Sequence, residues 1–325
     1  MASTNTSPAP RRAILLPLAL FAAFALVPLL AHLSDDRFLM LFVTRIMIFA
    51  IVALSLDFIL GYGALVSFGH AAFVGIGAYA VGILAEGGQA EGLVAFPVAI
   101  AAAGIFALIT GAISLKTRGV YFIMITLAFG QMAYFTATSL SAYGGDDGLT
   151  IWGRNSVLGA DLLSDDRTFF YVVLAALGAC YLMCRMIIAS RFGRVLRAAK
   201  QSESRLAAIG INPFGYRLTA YAIAGMIAGL GGAFLANHTE FVSPAYMNWH
   251  RSGELIVMVM LGGMGTLHGA ILGAAAYLLL EENLSQVSEH WRVVFGPFLI
   301  VVVLYARGGL TGFLNSLQAG RRKDD

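Results

Sequence analysis

The sequence predicts an all-α integral membrane protein, a polytopic helical bundle of about ten transmembrane helices. Three observations carry that prediction. Hydrophobic residues make up 59% of the chain and charged residues 12%, roughly half the charge that a soluble domain uses to cover its surface. Mean hydropathy is +0.80. The apolar runs are about 17 to 25 residues long, the length at which a helix crosses hydrocarbon while satisfying its own backbone. Lys and Arg also gather in alternate loops, and such loops stay on the cytoplasmic side.

In chain order, residues 1–12 are polar and read as a disordered cytoplasmic tail. Arg11 and Arg12 then orient the first apolar run, Ala13 to Leu33, with its start inside. That run is longer than a signal-peptide core. Ser34 to Arg37 turns outside, and Phe38 to Leu60 returns as a second span carrying Arg45 and Asp57. Gly61 to Leu84 is a glycine-laden third span. Glu86 to Glu91 lies outside, Gly92 to Leu115 is the fourth span, and Lys116 and Arg118 mark an inside turn before the fifth, Gly119 to Leu140.

Tyr143 to Thr168 is the main outer segment, acidic through Asp146, Asp147, Asp161, Asp165 and Asp166. Phe169 to Ala189 and Tyr216 to Ala236 are the sixth and seventh spans, and Asn237 to Met247 is outside. Trp249 to Gly263 and Thr266 to Leu280 form a tight pair of spans around Gly262-Gly263-Met264-Gly265. The first is short enough to be a re-entrant or broken helix instead. Glu281 to Arg292 is outside and Val293 to Ala306 is the last span, closing a permease domain over 13–306. Residues 307–325, with Arg321, Arg322 and Lys323, form a cytoplasmic tail. Both termini are thus cytoplasmic. Most of the 21 Lys and Arg fall inside and most of the 18 acids outside, so inverting the chain would reverse both biases.

Between the sixth and seventh spans lies Ser190 to Arg217, with Arg191, Arg194, Arg197, Lys200, Arg205 and Arg217 opposed only by Glu203. Within it, Ser202 to Gly210 reads as one short helix, N-capped by Ser202 and stopped by Gly210, with Pro213 forbidding immediate continuation. A capped helix on the cytoplasmic side suits a docking handle for a soluble partner; cations that only hold topology are the plainer reading.

Glycine is the main signal inside the spans. Gly225 and Gly229, and Gly265, Gly269 and Gly273, repeat at four-residue steps, which lets helices approach closely. Gly61, Gly63, Gly69, Gly75 and Gly77 are dense enough to point either to close packing or to an interrupted helix beside a permeation path. His70 follows Gly69 and reads as a hydrogen-bonded packing histidine, as does His268. The pattern H-x-A-x-x-G-x-x-A-Y occurs at His70 to Tyr79 and again at His268 to Tyr277. It is either a trace of repeated halves or an accident of Ala/Gly-rich sequence.

Arg45, Asp57 and Glu254 are the ionisable groups placed inside spans, where a charge needs protein, water or a counter-charge. Arg45 is the deepest and the best placed for an ion pair, while Asp57 and Glu254 lie nearer span ends and read as interfacial charges. Cys180 and Cys184 read as small packing residues. No nucleophile elbow, metal-spaced His/Glu/Cys group or phosphate-binding loop is visible, so the sequence predicts no enzyme activity, cofactor or metal. The basic pI follows from the inside loops and gives no reason to invoke nucleic acid.

Five blocks carry a family resemblance: GYGALVSFGHAAFVGIGAY (Gly61 to Tyr79), RGVYFIMITLAFGQM (Arg118 to Met132), GGDDGL (Gly144 to Leu149), FGRVLRAAKQSESRLAAIGIN (Phe192 to Asn212) and VMLGGMGTLHGAILGA (Val259 to Ala274). In this order they resemble the LivM-type permeases, membrane subunits of ABC importers for branched-chain amino acids. The resemblance implies an ABC importer permease fold in a bacterial inner membrane. It also implies a LivH-like second permease, two cytoplasmic ATP-binding subunits that hydrolyse ATP, and a periplasmic substrate-binding protein, with membrane lipid around the helices. Gly193, Arg194, Arg197, Glu203, Ala207, Ala208 and Gly210 match the family's ATPase-coupling loop. Ser204 and Arg205 follow Glu203 where the general importer motif has Ala-Ala, and Tyr143 replaces a threonine before Gly144.

The residues expected on the translocation path or in helix packing are Gly61, Gly63, Gly69, His70, Gly75, Gly77, Gly262, Gly263 and Gly265. Alternative readings are an ABC permease for urea, amides or aromatic acids and, in another class, a self-sufficient ion-coupled carrier. The ordered basic loop and the scarcity of mid-membrane acids favour the importer.

Overall fold

The computed structural model describes residues 12–34, 37–157, 159–287, 293, 296–297 and 308–312. The expected tail through residue 11, most of the expected last span Val293 to Ala306 and most of 307–325 lie outside the described residues.

Nearly everything described is helical. α1 (Arg12–Ser34) leads into α2 (Arg37–Gly63), apolar on all sides and buried almost throughout, which makes it the axis of the bundle. α3 (His70–Glu86), α4 (Gly92–Ser114) and α5 (Val120–Ser139) follow, then α6 (Asp166–Ala189). The second central helix is α9 (Pro213–Thr239). Asn212 caps it by accepting the Phe214 N–H at 3.0 Å, and Pro213 occupies the first turn, where no amide is needed.

Close approach between α3, α4 and α9 follows from small residues. A Cβ at Gly77 of α3 would run into the Gly229 carbonyl of α9, and one at Gly232 into the Val74 carbonyl of α3. On the other flank Gly225 and Gly229 face Ala107 and Ala103 of α4. With no hydrophobic drive between helices in lipid, such contacts supply the dispersion that holds them. The outward faces of α4 and α5 expose large apolar side chains such as Ile105, Ile109, Met124 and Met132, as contact with lipid or a membrane partner requires.

Among the described residues, five helices are long and apolar enough to cross a membrane: α2, α4, α5, α6 and α9. The tight pair expected over 249–280 is α10 (Trp249–Gly262) and α11 (Leu267–Val287), bent by 116° at their junction, and counts as one broken span or a re-entrant element. The third span does not run from Gly61. α2 continues to Gly63, residues 64–69 are non-helical, and α3 is only 17 residues long. Hydropathy stays high across both breaks, so an averaged profile passes over them.

One end of the bundle carries α7 (Arg191–Gln201) and α8 (Glu203–Ala208). The other carries a two-residue antiparallel pairing of β1 (Leu149–Thr150) with β2 (Phe241–Val242). The GGDDGL block is the turn into β1, with Gly144, Gly145 and Gly148 at φ of 83°, 52° and 84°. Asp165 caps α6, accepting the Thr168 amide at 3.0 Å and its hydroxyl at 2.8 Å. Those bonds hold the Asp165 carboxyl below the usual carboxylate range. Arg154 bonds Asp166 at 2.7 Å and lies over the Phe169 ring, fixing the segment before α6.

Candidate functional site

α7 and α8 form a rigid element because polar atoms from the whole of this end converge on it. Gly193, Leu196 and Ala199 give α7 one buried face at three-residue steps. A Cβ at Gly193 would strike the Ile188 backbone. Arg197 donates to the Gly193 and Ile188 carbonyls at 3.3 and 3.2 Å, and Lys200 Nζ donates to the Gly61 carbonyl at 2.7 Å. Of these carbonyls, Ile188 and Gly61 belong to the last turns of α6 and α2, whose carbonyls lack helical partners.

Ser202 caps α8 through the Arg205 amide at 3.4 Å, and Gly210 closes the turn at φ 80°. Glu203 pairs with Arg217 of α9 and, at 2.5 Å, with Arg118 in the turn before α5. Leu206 is buried, whereas Ala207, Ala208, Ile209 and Gly210 are exposed, Ile209 to 70%. The result is a small apolar ridge flanked by the exposed cations Arg194 and Arg205. Beside it a cleft of about 440 Å³ runs between Glu203, Ala207 and Phe214.

This element touches the break after α2 directly and reaches the α10–α11 junction through the end of α2. Asp57, fully buried on α2, accepts the Gly265 N–H at 2.7 Å, and a Cβ at Gly61 would collide with Gly265 and with Asp57 itself. Asp57 is therefore no interfacial charge; it pins the α10–α11 junction to the end of α2, one turn from the carbonyl that Lys200 holds. Within the junction Gly263 and Gly265 take φ of 114° and 78°, and Gly262 packs on the Gly269 carbonyl. Replacing Asp57 with leucine is expected to strand the Gly265 amide and cost about 1 to 3 kcal/mol. Asp57→Asn keeps an acceptor and should be milder. Thermal unfolding of the purified permease reads the difference.

At the other break, side chains replace the missing helical partners. The Ser67 hydroxyl lies 3.2 Å from Tyr221, and the Phe68 amide donates to Thr126 Oγ1 at 3.2 Å. Gly69 sits against the Thr126 carbonyl, and Gly63 lies beside Leu196 of α7. His70 is fully buried with Nε2 2.8 Å from Ser55 Oγ, and the Ala71 amide donates to Ser252 Oγ of α10 at 3.0 Å. Gly75 packs on Met247. Leu65, Ser67 and Gly69 of this irregular backbone are buried against protein, the setting in which such backbone survives at membrane depth. The two copies of H-x-A-x-x-G-x-x-A-Y open α3 and α11, each directly after a break.

The intramembrane charges lie elsewhere. Arg45 is 3.9 Å from Glu281 of α11, and Arg251 donates to Glu254 within α10 at 2.7 Å. Both arginines line a cavity of about 380 Å³ between α2, α3, α9 and α10, shared with Val52, Val74, His238 and Tyr246. Ile209, His238 and Arg251 were not singled out by the sequence, and Lys200 and Arg118 stood there only as cytoplasmic loop cations. Only α7 carried a readable signal, its three-residue apolar step.

A family model described as "Branched-chain amino acid transport system / permease component" matches residues 38–304. The chain is 24% identical over 290 residues to the high-affinity branched-chain amino acid transport system permease protein LivM of Escherichia coli (strain K12), covering 82% of this chain and 68% of that protein. The Salmonella typhimurium protein of the same description matches equally. A probable branched-chain amino acid transport permease protein LivM of Methanocaldococcus jannaschii is 24% identical over 312 residues, 81% of this chain and 90% of its own. No solved structure matches.

Proposed function

The chain belongs to the branched-chain amino acid transport system permease family, and from that premise we propose that it is the translocation subunit of an ATP-driven importer for branched-chain or related amino acids. In this reading it pairs with a second permease and two ATP-binding subunits, and a periplasmic binding protein delivers substrate. It lies in a bacterial inner membrane with both termini cytoplasmic.

The observation that carries the proposal is the α7–α8 element. Its buried side is tied to α2, α6 and α9 while its outer ridge is apolar and exposed. A loop serving only as a topological anchor needs cations near the membrane, not this fixed shape. A push on the ridge reaches Gly61 through Lys200 and the α10–α11 junction through Asp57, so the element can report an ATPase movement to both broken helices.

The placement is checked with single cysteines at Ser204 on α8 and at Trp152, which is 94% exposed at the opposite end. The buried Cys180 and Cys184 are first replaced by alanine. In intact cells Trp152→Cys should react with an impermeant maleimide and Ser204→Cys should react only after permeabilisation. Labelling of both from outside removes the coupling role. ATP-dependent uptake in proteoliposomes, with the ATPases co-purifying, separates this reading from a self-sufficient carrier.

A further inference from the structure

The 380 Å³ cavity between α2, α3, α9 and α10 stands apart from the coupling element, and its chemistry is one-sided. Its size falls in the range of about 300 to 1,000 Å³ typical of small-ligand pockets. Its charged lining is the guanidinium pair Arg45 and Arg251, and none of its lining residues among those described is an acid. Its apolar wall includes Val52, Leu235 and Leu255.

The arginines are only partly occupied. Arg45 reaches Glu281 at 3.9 Å, beyond hydrogen-bond length, and Arg251 gives one nitrogen to Glu254. Each planar fork keeps donors that match a carboxylate's two oxygens. Glu254 and Glu281 neutralise the pair from outside the lining, which makes two arginines tolerable in a membrane protein. His238 also lines the cavity, and its Nδ1 is buried with no hydrogen-bond partner among the described residues. α3 and α10 both begin near this wall, adding the positive ends of two short helices.

We propose that this cavity binds a small monocarboxylate with an apolar body, its carboxylate between Arg45 and Arg251 and its body against Val52, Leu235 and Leu255. The proposal deepens the importer reading and rests on it for the claim that the ligand is cargo. It adds that the carboxylate carries recognition. With no acid in the lining, an α-ammonium group has no counter-charge there, so the deaminated analogue binds at least as tightly as the amino acid.

The test uses the full-length permease with its retained membrane and ATPase partners in nanodiscs, without the soluble binding protein or ATP. Ligand-observed NMR titration compares L-leucine, 4-methylpentanoate, which lacks the ammonium, and L-leucinamide, which lacks the carboxylate. 4-Methylpentanoate should bind at least as tightly as leucine and compete with it, with leucinamide at least tenfold weaker than leucine. Arg45→Gln and Arg251→Gln should each weaken both carboxylates at least tenfold, while Arg45→Lys, which keeps the charge, recovers part of the loss.

Gel filtration and the thermal midpoint establish that the variants are folded; should Arg251→Gln fail to fold, Arg45→Gln against Arg45→Lys decides alone. Equal binding of leucinamide, unchanged carboxylate binding in the glutamine variants, or no binding of any probe overturns the proposal. If ATP-driven uptake persists in that case, the importer reading survives and only this cavity is misassigned. Arginine-dependent carboxylate binding without ATP-driven uptake is the opposite failure: the site stands and the importer reading falls.

Discussion

Gly77→Val is expected to lower the thermal midpoint of the purified permease by about 6 to 12 °C and to remove much of the monodisperse protein. The Cβ at this position points at the Gly229 carbonyl, a backbone atom that no rotamer change can move. α9 cannot retreat, because on its far side Gly229 meets Ala103 and Gly225 meets Ala107 of α4. Gly232 holds the same seam one turn on, against the Val74 carbonyl. Inserting atoms into such a seam costs about 3 kcal/mol, and a close-packed interior transmits the strain instead of absorbing it.

Gly75→Ala is the internal control. Its Cβ meets Met247, a side chain with several rotatable bonds, so the loss should be smaller. Heating followed by fluorescence-detected gel filtration measures both. A Gly77→Val protein with the parental midpoint and profile would show that α3 and α9 are not packed as described.

The seam illustrates what could be read from the chain. Four-residue glycine steps in α9 and the glycine density before Tyr79 are local patterns, and close approach follows from them directly. The position of the break after Gly63 does not, because the segment Ala64 to Gly69 is stabilised by Tyr221 and Thr126, residues far away in sequence. Asp57 was underread for the same reason. Its partner Gly265 lies 208 positions away, so its place near a span end suggested an interface when it is the most buried charge on α2. α7 was within reach: Gly193, Leu196 and Ala199 mark an amphipathic helix, although the sequence reading places a helix only over Ser202 to Gly210. The arginine cavity was out of reach, since its lining comes from separated segments and each residue alone looks like an interfacial polar group.

The largest functional effect is expected at α8. Ala208→Trp and Ile209→Asp should each reduce co-purification of the ATPase subunits and ATP-driven uptake at least tenfold, leaving insertion and thermal midpoint unchanged. Both side chains are exposed and on the ridge, so neither change disturbs the core, and neither alters the cations that set topology. An exposed apolar residue at the centre of a docking surface is where a truncation or a charge costs most, about 2 kcal/mol or more at a hot spot.

Glu203→Arg should also abolish uptake, but by a different route. It breaks the ties to Arg217 and Arg118 and gathers three guanidinium groups at one point, so α8 itself should loosen. The three variants therefore separate docking from loop integrity. Protection of Ile211 and Leu206 amides in hydrogen–deuterium exchange should fall in Glu203→Arg and hold in the other two. If Ala208→Trp and Ile209→Asp keep normal ATPase binding and uptake, the ridge is not the docking surface, and α7 and α8 serve only to close the ends of α2, α6 and α9.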